Sequence, residues 1–185
     1  MDEQTNDIAQ ELALLHTLSS GAEFARTVER IARRSEFHPV EGELNIFSVG
    51  GEQSVDYRNL LLAARKAVEH GYRVFLLPNP KGTRSADFIL ERKGMYRLFD
   101  LKTIHGHSSV RNRLLESIGQ SNHVLLNMNV DYNARLLAKD ILAYFSANPQ
   151  AVEVMIFKKR KLMSVTRKSV SGASFVKSFI QKYYR

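Results

Sequence analysis

Apolar residues recur along the chain with two different periods, and the switches between them mark out its elements. Residues 5–18 place Ile8, Leu12, Leu14, Leu15 and Leu18 at helical spacing, and residues 22–34 repeat the pattern with Phe24, Val28, Ile31 and Ala32. Ser20-Gly21 separates the two. The pair reads as a helical hairpin or as an oligomer contact through which a homodimer would form, and nothing in it suggests chemistry. EFHPVEGELNIFSVGGEQS follows, a connector by its Pro and Gly content, in which ELNIFSV suits a short strand. We place a boundary here, with an N-terminal helical extension over 1–40 and a main α/β domain over 41–185.

Beyond the boundary the periods alternate. Ser54 is placed to cap a helix over about 55–70, which Gly71 would end from the C′ position. YRVFLLP has the unbroken apolar run of a buried strand and stops at Pro78. ADFILER and MYRLFDLKT pair as a hairpin about Lys93-Gly94. A helix over about 109–118 (SVRNRLLESI) leads to a strand at 123–128 (HVLLNM), and ARLLAKDILAYF forms a helix ending before Asn148-Pro149. VEVMIFKK and KLMSVTRK make a second hairpin, and SFVKSFIQKYYR closes the chain as an amphipathic helix or arm. The order α-β-β-β-α-β, then α-β-β-α, packs as an α/β domain, a mixed α+β sheet flanked by helices.

A length of 185 residues suits one domain with a sizeable core and an extension. No apolar run approaches the roughly 18 residues a membrane span requires, so no membrane association is expected. The acidic start MDEQTNDIAQELALL lacks the basic region of a secretory signal, and the absence of cysteine removes disulfides, thiolate metal sites and cysteine nucleophiles. Both suit a cytoplasmic location. The net charge of +8 is unevenly spread: residues 1–52 hold ten acids against four arginines, whereas 154–185 hold nine bases and no acid. A basic body suits an anionic polymer, nucleic acid above all, as partner.

Polar residues interrupt the first hairpin at chosen places. Strand alternation puts Tyr96, Leu98, Asp100 and Lys102 on one face, with Asp100 and Lys102 about 6.5–7 Å apart. A hairpin closing at Lys93-Gly94 brings Asp87 across from the region of Asp100. Carboxylates converging near a lysine in a half-buried sheet are costly without a partner, and Mg²⁺ (or Mn²⁺), which takes one or two carboxylates plus water and phosphate, is a suitable one. An isolated D-x-K is also what an ion pair at a strand end looks like; the order of elements around this one is what gives it weight.

Ala86-Asp87 opening one strand, a short turn, then Asp100-Leu101-Lys102 on the next, with twelve residues between the aspartates, resembles the PD-(D/E)XK nuclease superfamily. More narrowly, GYRVFLLP, ADFIL, FDLKT, a Ser/Arg/Asn-rich helix start and a Gln before VLLN look like the nuclease domains at the C-termini of contact-dependent growth-inhibition toxins. The resemblance spans roughly residues 54–128. It implies a restriction-endonuclease-like αβββαβ core with helices on both faces and a metal-dependent endonuclease acting on DNA or RNA. Asp87 and Asp100 would bind the metal and Lys102 would be the catalytic lysine. A fourth acid from the first core helix would be Asp56 or Glu69. Ser109, Arg111, Asn112, Arg113 and Gln120 would lie around the scissile group, and a toxin of this kind would have an immunity protein as partner. Two departures stand out: Ala86 replaces the usual Pro, and Asp100 stands where Glu is commoner.

The basic run FKKRK, with Lys158, Lys159 and Arg160, lies at the second hairpin's turn and suits either backbone tracking or plain solvation. His105 and His107 flank Gly106 and are read as solvated loop residues or, with the carboxylates, as transition-metal ligands. Two other readings stay open. One is a nucleic-acid-binding or mobile-element accessory protein that keeps this fold without turnover. The other is a metal-independent, barnase-like ribonuclease in which His105, His107 and Arg113 would matter and Asp87 would not.

Overall fold

A computed structural model of the chain describes residues 3–15, 21–50, 56–78, 85–106 and 110–185, with side chains from Asp7 onward. The described residues form seven helices and eight strands, a mixed α/β architecture. They divide into two compact units, Met1–Asp100 and Leu101–Arg185. No helix among the described residues is long and apolar enough to cross a membrane.

The first unit opens with α1 (Glu3–Leu15) and α2 (Ala22–Ala32), whose apolar stripes form one cluster with the sheet. Ile8, Leu12 and Leu15 of α1 and Val28, Ile31 and Ala32 of α2 meet Phe37, Phe75, Leu77, Ile89 and Leu98. Leu14, expected in the stripe, is exposed because it falls off the packed face; Leu18 and Ser20 lie outside the described residues. Strands follow in spatial order of sequence: β1 (His38–Pro39), β2 (Ile46–Ser48), β3 (Arg73–Leu76), β4 (Phe88–Arg92) and β5 (Met95–Ile104). β2 and β3 are parallel and the other pairs antiparallel.

Between β2 and β3 runs α3 (Tyr57–Glu69), which packs on both strands. It buries Ala63, Ala64 and Ala67, small side chains that let a helix approach a sheet closely. Its end matches the sequence pattern: Gly71 sits at φ 81° and its N–H donates to the Val68 carbonyl at 2.9 Å, a left-handed stop that glycine adopts without steric cost. Ser54, the expected cap, lies outside the described residues.

β4 and β5 turn through Lys93 and Gly94, both at positive φ, the combination a tight hairpin needs. From Arg92↔Met95 the register runs back to Phe88↔Phe99. β5 continues through the division between the units, and Ile104 joins the core of the second.

That second unit holds α4 (Val110–Glu116), β6 (His123–Met128), α5 (Ala134–Ala147), β7 (Glu153–Lys158), β8 (Lys161–Thr166), the one-turn α6 (Arg167–Val170) and α7 (Phe175–Tyr184). β6 and β7 are parallel, joined by α5 as the crossover, and β8 returns antiparallel. Leu137, Ile141, Tyr144 and Phe145 of α5 and Phe175, Phe179 and Tyr183 of α7 close over Val124, Leu126, Val154 and Ile156. Arg167 closes the C-terminal end of α5, donating to the carbonyls of Phe145, Asn148 and Ala151 at 3.3, 2.5 and 3.0 Å. Those are carbonyls left over where a helix ends.

Candidate functional site

The geometry of the hairpin decides where its acids lie. The β4–β5 ladder ends at Phe88 opposite Phe99, and Asp87 and Asp100 are the residues that flank this last pair, Asp87 before Phe88 and Asp100 after Phe99. Backbone bonds hold Asp87 in place on both sides: its N–H donates to the Phe99 carbonyl and its carbonyl accepts from the Leu77 N–H, each at 3.0 Å. Asp87 is half-buried, whereas Asp100 is 1% exposed and Lys102, two residues on along the same strand, 9%. The tight turn at Lys93-Gly94 is therefore the local feature that brings both aspartates to the open end of one hairpin.

Other expected site residues fall elsewhere. Asp56 and Glu69 are exposed, at opposite ends of α3, and no set of three or more acidic or histidine side chains converges among the described residues. Neither therefore makes a third acid with Asp87 and Asp100. Ser109 and His107 lie outside the described residues, and His105 is exposed. On α4, Val110 and Leu114 are buried while Arg111, Asn112 and Arg113 face solvent. Arg113 reaches Glu116 at 3.1 Å, and the Gln120 amide donates to the Glu116 carbonyl at 2.7 Å.

The positive charge of Arg111 acts on Asp140 of α5. Burial pushes the Asp140 carboxyl up from its ordinary range, while the Tyr132 hydroxyl and Arg111 pull it down. At the second hairpin's turn Lys158 is held inward, its ammonium 3.6 Å from the Tyr183 ring centre and donating to the Tyr183 carbonyl at 3.3 Å. Burial lowers its pKa. Lys159 and Arg160 are exposed, Lys159 lying 3.9 Å from Asp131.

Two groupings escape the sequence reading. Glu153 on β7, 4% exposed, accepts from Ser164 Oγ at 2.5 Å and faces His123 Nδ1 at 3.3 Å. His123 and Glu153 are partners in the parallel β6–β7 register, a long-range pairing that no local pattern reveals. The other is an arginine cluster on α2, at Arg26, Arg30 and Arg33, whose i, i+4, i+7 spacing was a readable signal.

The fold defines a mixed α/β protein whose first long hairpin carries Asp87 and Asp100 at its open end. No family model matches the chain, and no curated protein matches it. Among solved structures it is similar to a chain from the "CdiA-CT/CdiI toxin and immunity complex from Burkholderia pseudomallei". The match has a TM-score of 0.39 and 20% identity, and covers 62% of this chain and 89% of that one. That likeness is too low to carry an activity or a partner across.

Proposed function

We propose that this protein is a metal-dependent nuclease that hydrolyses phosphodiester bonds in DNA or RNA. One observation supports the reading: Asp87 and Asp100 flank the last pair of the β4–β5 ladder, Phe88 and Phe99, with buried Lys102 two residues further along β5. Two carboxylates brought to one site repel, and a cation between them would remove that cost. The donor set fits Mg²⁺ or Mn²⁺, because two carboxylates leave the remaining positions to water and substrate phosphate. It does not fit a closed structural site, since no third acid or histidine converges there among the described residues.

Asp87 and Asp100 would hold the ion, which when bound supplies charge stabilisation to the phosphoryl group under attack. Lys102 provides a second positive charge, suited to orienting the attacking water or offsetting charge that develops on the phosphate. Its burial restricts the ammonium to few positions, which favours such a role. The motif resemblance extends the proposal to a toxin restrained by an immunity protein.

Cleavage of plasmid DNA and of tRNA, with Mg²⁺ and with excess EDTA, tests the reading on the wild type and on Asp87→Ala and Lys102→Ala. The expected result is cleavage that needs the metal and disappears in both variants. Cleavage that survives EDTA, or that persists in the variants, overturns it.

A further inference from the structure

Residues 1–52 carry four bases, and all of them lie on α2 or the turn that ends it: Arg26, Arg30, Arg33 and Arg34. Together with Glu29 they line a shallow groove, wide open to solvent. Arg34 is satisfied from within, meeting Glu36, Asp7 and Glu11 at 2.6, 2.8 and 3.4 Å. Arg33 shares Glu29 at 2.8 Å and lies over the Tyr96 ring at 5.9 Å. Arg26 and Arg30 form no ion pair among the described residues; the Arg26 Nε donates only to the Ala22 carbonyl at 3.2 Å. Glu23, the other acid of α2, forms no ion pair there either.

An ordinary solvent face alternates opposite charges at i, i+4. Here Arg26 and Arg30 are a like-charged i, i+4 pair, and so are Arg30 and Arg34, arrangements that destabilise an isolated helix. An anion in the groove reverses that sign. Guanidinium groups match phosphate oxygens in a planar fork, and the groove's three outer arginines outnumber Glu29. From Arg26 to Arg33 the helix rises about 10 Å, which spans about three phosphates of one duplex strand.

Arg33 also covers Tyr96, which packs with the α1–α2 cluster, so the arginine face is anchored to the unit's core. We propose that the Arg26–Arg30–Arg33 face of α2 binds the sugar-phosphate backbone of a nucleic acid. The proposal rests on the nuclease reading for its choice of polyanion.

The test is fluorescence anisotropy of short labelled DNA and RNA strands with the full chain, titrated with salt in the presence of EDTA. Arg26→Ala/Arg30→Ala should weaken binding about tenfold or more at low salt and reduce the slope of log K against log salt by about 1.5–2. The double Lys variant should keep the slope, and Glu29→Gln should tighten binding. Wild-type affinity and slope in the double Ala variant overturn the proposal, as does a wild type that binds neither polymer. Because EDTA removes divalent metal, binding is read here without turnover; a wild type that binds in this assay but fails to cleave when Mg²⁺ is supplied leaves this assignment standing and sinks only the nuclease reading.

Discussion

The two long hairpins turn alike, each through a lysine at positive φ, Lys93 at 53° and Lys159 at 54°, and each pairs antiparallel from its turn. Their acids are placed differently. Glu153 on β7 faces a hydroxyl and an imidazole, Ser164 and His123, and nearby in the same unit Asp140 accepts from the Tyr132 hydroxyl at 3.1 Å. Asp87 and Asp100 on the first hairpin flank the last pair of the ladder, Phe88 and Phe99. A carboxylate held by donors completes a hydrogen-bonded structure, whereas two carboxylates brought to one end of a ladder are where, on the proposed reading, a cation would lower the energy. The first kind should govern stability and the second activity.

Exchanging those roles is the strongest way to break the comparison. Asp100→Ala should reduce Mg²⁺-dependent cleavage a hundredfold or more, measured as initial rate on either polymer. Glu153→Ala should instead cost about 2–3 kcal/mol in urea unfolding, since Ser164 and His123 lose a buried acceptor, with the cleavage rate per folded molecule retained. A Glu153 variant that folds normally but cannot cleave reverses the distinction.

Alkali sharpens it next. Burial first, then the Asp140 charge, pushes the Tyr132 phenol up to about 12. A phenol whose folded value is raised gives its full stability below its ordinary pKa and loses it as pH rises through the folded value. Stability should therefore fall by roughly 2 kcal/mol between about pH 10 and 12, and Tyr132→Phe should flatten that part of the curve. The smallest effect belongs to Lys158, whose ammonium sits on Tyr183. Lys158→Met should cost about 0.5–1 kcal/mol and leave the salt dependence of nucleic-acid binding nearly unchanged, because the charge is turned inward.

Local signals made much of the fold readable. A two-residue turn fixes register by counting, so Lys93-Gly94 alone sets Phe88 opposite Phe99 and brings Asp87 and Asp100 to the same end of the hairpin, and Gly71 announces the end of α3. β1 was missed because two residues, one of them Pro39, carry no period. α6 was read as the end of a strand because Thr166 changes role within one residue, capping a turn with Ser169 in a reciprocal box. Glu153, His123 and Ser164 come together only through pairing of three strands, which no window of sequence contains. The arginines of α2 share their helix with the apolar stripe of Val28, Ile31 and Ala32, so the local pattern there signals packing as well as charge.

The central claim is that Asp87 and Asp100 form one cation site, and thermal unfolding with and without Mn²⁺ or Mg²⁺ tests it without relying on turnover. The account predicts that millimolar metal stabilises the wild type by about 1 kcal/mol. Asp87→Asn should start at an equal or higher Tm in EDTA, because a like charge is gone, and should not respond to metal. A variant that responds to metal as the wild type does would contradict the claim.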